Sequence, residues 1–261
     1  STFNRYLWTN YFMNICKTYW ERIKNDLERV STAQKAESSR RYFPHGVNCI
    51  GATASDIKLI ISHFQAENED MSAKEMLTIT EYILLNAEFS EEVLIAFGLI
   101  NKFVNRHYDD DLLLRFEYWL EHYATNWSHV DDLCIKTIYQ FFLSRPHLIE
   151  KTNHWAYSKI PWCRRASNVV WVKFVKRKIG NSIYYLNKEL VFKHCDLLIN
   201  DQDEFVQKSI GWLLKATSVH HQDAVIKYIE MNVEKMTRLT IRYAIEKMDP
   251  SIRKGILSLG K

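Results

Sequence analysis

Thr53-Ala-Ser-Asp-Ile-Lys-Leu-Ile-Ile-Ser-His-Phe-Gln-Ala-Glu-Asn-Glu-Asp-Met-Ser-Ala-Lys-Glu-Met-Leu-Thr-Ile-Thr-Glu-Tyr-Ile-Leu-Leu-Asn86 is the stretch that decides the fold class. Thr53 followed by Asp56, and Ser72 followed by Glu75, read as capping boxes. In each, a hydroxyl and a carboxylate satisfy free amides at a helix start. Apolar residues then recur at helical spacing, which predicts helices over 54–67 and 72–86 with a short join. A short join between helices of similar length implies a helical hairpin.

The same reading extends in both directions. Upstream, Phe3, Leu7, Tyr11, Ile15, Tyr19, Ile23 and Leu27 recur every four residues, which predicts a helix over 3–29. The polar stretch 31–42 also reads as helical, and 43–52, with Pro44, Gly46 and Gly51, reads as a loop. Downstream, Ser90 reads as an N-cap, followed by Glu91 and Glu92 to suit the helix dipole. Further helices are expected over 90–106, 110–124, 127–144, 147–158, 161–179, 187–199, 203–219, 222–235 and 237–248. No alternating run of strand length competes with them, so the expected class is all-α. Helix pairs recur at roughly 35–45 residues, the range of HEAT and armadillo repeats. The expected architecture is one domain over 1–261, an α-solenoid of HEAT-like antiparallel hairpins with a concave face. Its N-terminal helices run to residue 42 and its stacked hairpins cover 53–260. An orthogonal bundle is the alternative that pattern alone leaves open.

Composition removes other classes. With 47% hydrophobic and 25% charged residues, the chain has ample material for a core and is not disordered. Only 7 Gly and 4 Pro exclude collagen-like and low-complexity chains. No apolar run is long enough for a membrane span, and polar residues interrupt the apolar ones at the N-terminus, unlike a signal peptide. Cys16, Cys49, Cys134, Cys163 and Cys195 are scattered and form no C-x-x-C. A disulfide framework or a structural zinc site is therefore not expected, and a reducing cytoplasm is the simpler home.

Charge is uneven. The chain's net +4 averages an acidic residues 1–100, net −3, with a basic 101–261, net +7. Between 145 and 180 nine basic residues face the single acid Glu150. That focus suits a phosphate-binding surface. A solvated helix face would also produce it.

Three segments carry candidate chemistry. In Asn126-Trp-Ser-His-Val-Asp-Asp132, Trp127 and Asp131 fall on one helix face about 40° apart. An indole beside a carboxylate attracts a cation, although a core Trp and a dipole-complementing Asp would give the same spacing. In Pro161-Trp-Cys-Arg-Arg-Ala-Ser167, Arg165 stands eleven residues before Lys176, so on one helix the two would share a face. Arg forks suit phosphate oxygens, and equally suit acids of a neighbouring helix. In Gln207-Lys-Ser-Ile-Gly-Trp212, Lys208, Trp212 and Lys215 form one stripe. Gly211 inside that helix points to close packing or close approach of a ligand.

In this order, the three segments resemble the DNA alkylation-repair glycosylases of the AlkC/AlkD type, over about residues 38–248. Trp127 and Asp131 match the family's Trp and catalytic Asp, Arg165 its W-x-x-R-A Arg, and Trp212 the Trp of its Q-K-x-I-G-W segment. Tyr42, nine residues before Gly51, matches an aromatic of the DNA-facing surface. The chain departs from the family after Gly51, where it lacks the usual Thr-Pro and Arg pair, and by the additional His129 and Asp132.

The resemblance implies a concave DNA-binding face and a monofunctional glycosylase of base excision repair, without metal or cofactor. It would hydrolyse the N-glycosidic bond of N3- or N7-alkylated purines in double-stranded DNA. Asp131 would stabilise the oxocarbenium-like charge, Trp127 and Trp212 would flank lesion and sugar, and Arg165 would hold a phosphate. Tyr42, Arg164, Lys176, Lys208 and Lys215 would contact DNA. The expected protein is monomeric, off the membrane and cytoplasmic, nucleoid-associated in a bacterium. The alternatives are a non-catalytic HEAT-like module for DNA or protein, and a helical-repeat protein with no nucleic-acid role.

Overall fold

The computed structural model describes residues 2–260, with side chains from residue 9 onward. Phe3 and Leu7 of the expected N-terminal stripe have side chains outside the described residues. The fold is all-α with one small β-hairpin. The helices are α1 (Thr2–Val30), α2 (Ala33–Arg40), α3 (Ala54–Glu67), α4 (Ala73–Asn86), α5 (Ser90–Leu99), α6 (Leu112–His122), α7 (Trp127–Asp132) and α8 (Tyr139–Leu143). They continue as α9 (Pro161–Val169), α10 (Lys188–Leu198), α11 (Glu204–Asn232), α12 (Arg238–Ile245) and α13 (Pro250–Leu257). The hairpin pairs β1 (Lys176–Ile179) with β2 (Ser182–Tyr185).

The chain packs as two compact units. The first runs to Leu112 and includes Tyr123–Thr137; the second is Leu113–His122 with the chain from Ile138 onward. In the first, α1, α3, α4 and α5 pack on one another around Ile23, Leu27, Phe64, Ile83 and Phe97. In the second, α11 is the hub against which α9, α10 and α12 pack, around Cys163, Trp171, Val206 and Leu213.

Both expected capping boxes form: Thr53 Oγ1 accepts from the Asp56 amide and Ser72 Oγ from the Glu75 amide, each at 3.1 Å. The start of α5 differs. Phe89, not Ser90, is the N-cap, and the amides of Glu88 and Phe89 donate to Glu92 Oε2 at 2.8 and 2.6 Å. Glu91 and Glu92 are therefore buried clamps rather than solvated partners of the helix dipole.

Other boundaries move for physical reasons. Residues 133–138 form a π-helical turn inside the expected helix 127–144, and 146–157 is a 3-10 helix. The expected helix over 90–106 ends at Leu99. The expected break between 203–219 and 222–235 is present: His221, at φ −140 and ψ 49, interrupts the run Glu204–Asn232. A further helix, α13, follows Pro250 at its first position, as proline favours.

The main correction concerns 161–179. The helix stops at Val169, a short 3-10 turn follows over Val172–Phe174, and Lys176–Ile179 is a strand. Arg165 and Lys176 therefore do not share a helix face. The cause is local. Gly180 adopts a φ of +60 in a two-residue turn with Asn181, which reverses the chain into β2.

Gly211 marks where α11 meets α12: a Cβ there would lie 2.5 Å from the Cβ of Tyr243 and 2.9 Å from the Thr240 carbonyl oxygen. Close packing, not ligand approach, accounts for this glycine. A Cβ on Gly255 would have nothing within 4 Å. Gly211→Ala should then cost about 1–3 kcal/mol by overpacking, whereas Gly255→Ala should stabilise by roughly 0.5–1 kcal/mol through helix propensity. Denaturant unfolding of the two variants checks the opposite signs, and a neutral Gly211→Ala would refute the packing account.

Candidate functional site

In the first unit the site is built from the N-termini of α5 and α7. Asn126 caps α7, its Oδ1 accepting from the His129 amide at 3.0 Å, and its Nδ2 donates to Ser90 Oγ at 3.1 Å. His129 is only 1% exposed. Its Nδ1 accepts from the Thr125 amide at 3.1 Å, and Nε2 lies 2.9 Å from Ser90 Oγ and 3.0 Å from the Ser90 carbonyl. An amide can only donate, so Nδ1 is the acceptor and the imidazole proton sits on Nε2, facing the Ser90 carbonyl. Burial pushes the His129 pKa down to about 4, against the opposing effect of the Ser90 carbonyl. His129 is thus a neutral strut, and it fixes where α7 begins.

That start places Trp127 in the first turn of α7, half-buried. Its Nε1 donates to the Tyr42 carbonyl at 3.0 Å, and its ring stacks on Phe43 with centroids 5.2 Å apart and planes 21° apart. Tyr42 is 70% exposed. Tyr42, Phe43 and Trp127 line a cleft of about 620 Å³, with Ser38, Ser39 and Ser128 also on its wall. Asp131 lies one turn beyond Trp127 on the same face of α7 and is partly exposed. The sequence spacing of the two is therefore realised on a helix. The π-helical turn begins two residues after Asp131, at Leu133; such turns recur at functional sites. Asp132 pairs with Lys136 at 2.6 Å, and burial raises its pKa, with the Asp131 charge adding to the rise and Lys136 opposing it.

The loop that carries Phe43 is also held from below. Glu91 accepts from the Ile50, Gly51 and Ala52 amides at 3.1, 2.7 and 3.0 Å. Gly51 sits at a φ of +108, and a Cβ there would lie 2.3 Å from the Thr32 carbonyl oxygen.

The remaining candidates lie in the second unit. Arg165 is 6% exposed and donates through Nη1 to the Phe205 carbonyl at 2.7 Å. Arg164 forks onto Asp201, Nε to Oδ2 at 2.7 Å and Nη2 to Oδ1 at 3.3 Å, while its Nη1 donates to the Ser158 carbonyl. Lys208 lies 3.9 Å from Glu204, and Lys215 lies 2.7 Å from Glu246. Lys208, Trp212 and Lys215 do share one stripe of α11, with Trp212 half-buried. Gln207 is structural: Nε2 donates to the Ile199 and Asp201 carbonyls beyond the end of α10, and Oε1 accepts from Thr240 Oγ1 at 2.7 Å. Lys176 is exposed on β1.

Two groups escape sequence reasoning. Phe43, the stacking partner of Trp127, follows Tyr42 and gives no periodic signal. The basic hairpin does have a signal, a Gly-Asn pair between two strand-length runs.

The family described as DNA alkylation repair enzyme matches residues 23–248. The chain belongs to this family. Among solved structures, the chain is similar to a "Predicted DNA alkylation repair enzyme from Enterococcus faecalis", with a TM-score of 0.71 and 17% identity over 84% of this chain and 97% of that one. It is also similar to the Pseudomonas fluorescens alkylpurine DNA glycosylase AlkC, bound to DNA containing an abasic site analog. There the TM-score is 0.55 and the identity 16%, over 94% of this chain and 68% of that one. At these identities the likeness is one of fold. No curated protein matches the chain significantly. Among the described residues no group of side chains is arranged to hold a metal ion, and no helix is long and apolar enough to cross a membrane.

The two buried histidines generate a pH dependence. His129 and His194 each have a pKa lowered by burial to about 4, against about 6.5 in an unfolded chain. The unfolded state therefore binds more protons below pH 6.5. Each histidine contributes stability present above that pH and lost as pH falls toward 4, up to roughly 3 kcal/mol per group by linkage. Denaturant unfolding at pH 7 and pH 5 should show a less stable protein at pH 5, and the His129→Gln variant should show a smaller difference. A wild-type stability flat over this range would contradict the neutral-strut role.

Proposed function

We propose that this member of the family is a monofunctional DNA glycosylase that releases alkylated, cationic N3- or N7-substituted purines from duplex DNA. One observation carries the reading. Trp127 and Asp131 stand on one face of a helix whose start is fixed by a buried network, beside an exposed aromatic, in a chain of this family. A scaffold that binds phosphate has no need of a carboxylate on such a face.

The chemistry follows from the leaving group. Alkylation at a ring nitrogen makes the purine a cation and weakens its bond to the sugar. As the bond breaks, positive charge develops on the sugar, as in glycoside hydrolysis. Asp131 stabilises that charge and orients the attacking water. Trp127 offers its ring to the cation, worth about 0.5–2 kcal/mol, and Trp212 has the same role by resemblance. Tyr42 meets the DNA. The sugar ends as an abasic site on an uncut strand, since no lysine is assigned as a Schiff-base former. HEAT-like stacking of the helices and a monomeric state belong to the same reading.

Arg164, Lys208 and Lys215 have acid partners and Arg165 is held by the Phe205 carbonyl. These internal bonds are the observation that favours a second reading, a non-catalytic binding module. Within the glycosylase reading, Arg165 retains the phosphate role that the resemblance implies, and exposed Lys176 joins it.

Asp131→Asn should abolish release of free base from methylated duplex while leaving duplex affinity within a few-fold. Mass-spectrometric detection of the free base, with binding measured in parallel, checks this; turnover by Asp131→Asn at the wild-type rate would exclude Asp131 as the catalytic group. Arg165→Lys should reduce affinity with the slope of log K against log salt kept, and Arg165→Ala should lower that slope by about 0.9, one phosphate contact. An Arg165→Ala slope equal to wild type assigns Arg165 to the internal hydrogen bond alone.

A further inference from the structure

The β1–β2 hairpin is an element the glycosylase reading does not use beyond Lys176. Its register is Lys176 opposite Tyr185, Arg177 opposite Tyr184, Lys178 opposite Ile183 and Ile179 opposite Ser182. Directly opposed residues on paired strands share a face. Lys176, Lys178, Ile183 and Tyr185 therefore form one face, and all four are exposed. Arg177 and Tyr184 lie on the other. There the Arg177 guanidinium sits 5.0 Å from the centre of the Tyr139 ring and donates to its hydroxyl, while Tyr184 meets Phe174 edge-on at 6.2 Å. The Leu186 amide donates to the Val175 carbonyl at 3.2 Å and extends the ladder at its base. One face anchors the ribbon, and the other is left to solvent.

The exposed face is unusual for a solvated ribbon. Ile183 is 49% exposed and Tyr185 59%, side by side with two lysines. Among the described residues, no carboxylate pairs with Lys176 or Lys178. Next to them is a cleft of about 510 Å³ lined by Tyr139, Lys176, Arg177 and Lys178. Lys173 approaches the same Tyr139 ring at 4.6 Å. Burial, and then the charge of Arg177, lower the Lys173 pKa, as expected where cations lie close together. An anion at this place relieves the crowding.

We propose that the outer face of the β1–β2 hairpin is a DNA-backbone contact, in which Lys176 and Lys178 each hold a phosphate and Tyr185 and Ile183 pack on the sugars between them. The inference rests on the DNA reading above but not on base excision. Residues two apart on a strand are about 6–7 Å apart, so the two ammonium groups reach separate phosphates of one strand. The aromatic and aliphatic groups opposite them fill the apolar space between the charges. The contact carries no sequence information, as backbone contacts do not.

The test is binding of the full chain to an undamaged fluorescent duplex, by anisotropy, between about 50 and 200 mM salt, a range that resolves individual phosphate contacts. Lys176→Gln with Lys178→Gln should weaken binding about tenfold or more at the low-salt end and make the salt slope shallower by about 1.8. Lys176→Arg with Lys178→Arg should keep the wild-type slope. Tyr185→Ser should weaken binding several-fold with the slope unchanged. If the double glutamine variant melts at a lower temperature, Lys178→Gln alone is read, with an expected slope change of about 0.9. A wild-type slope in the glutamine variants overturns the inference. Wild-type protein that releases no alkylpurine but shows the hairpin-dependent slope supports the contact and discards the glycosylase reading. Base release together with a slope indifferent to the hairpin does the reverse.

Discussion

The N-terminus of α5 is the constraint on which the first unit depends. One buried carboxylate, Glu91, gathers the amides of Ile50, Gly51 and Ala52. Buried amides without partners cost about 1–3 kcal/mol each, so the loop has few other ways to lie. The positive φ of Gly51 and the hydrogen bond from the Thr32 amide to the Gly51 carbonyl at 3.2 Å lock the loop against the start of α2. The preceding residue, Ser90, receives His129 and Asn126 and so fixes the start of α7. Two neighbouring side chains thus set both walls of one aromatic cluster. Glu91 governs the loop that follows Phe43, and Ser90 governs the helix that begins with Trp127. The placement of Asp131 one turn beyond Trp127 follows from where α7 begins.

The segments that resemble the family mix two kinds of residue. Gln207 ties the end of α10 to α12, Gly211 lets α12 approach, and Arg164 is consumed by Asp201. These positions serve packing, though they sit within the segments that carry the resemblance. Trp127, Asp131, Tyr42 and Lys176 are instead partly or fully exposed. A motif therefore marks the fold as much as the chemistry. The additional acid and histidine beside Asp131 are explained in the same way: His129 is a strut, and Asp132 belongs to Lys136.

The long helices were legible because their apolar spacing and caps agree. Thr53 with Asp56 and Ser72 with Glu75 form the expected boxes, and the 3.6-residue period persists through α3 and α4. What escaped has local causes. Ser90 looks like a cap, but the carboxylate of Glu92 reaches the amide of Phe89 and moves the cap back by one residue. The hairpin was concealed because Val169-Val-Trp-Val-Lys-Phe-Val175 prolongs an apolar pattern past the real helix end, and the Gly-Asn turn is short. The π-helical turn over 133–138 has no signature in composition or period, whereas the break at His221 falls between the two helices expected there. Spacing alone placed Trp127 and Asp131 on one helix face; their proposed role came from the resemblance. The internal partners of Arg164 and Arg165 were not, because Asp201 and the Phe205 carbonyl lie far along the chain.

The central claim is that the face of α7 carrying Trp127 and Asp131 breaks a glycosidic bond. The most direct measurement is incubation of the wild-type protein with duplex DNA methylated at purine N3 and N7, followed by mass spectrometry of the small-molecule fraction. The account predicts free methylpurine in amounts equal to the abasic sites formed, on strands that remain uncut until treated with base. Tight binding of the methylated duplex with no free base released would contradict it.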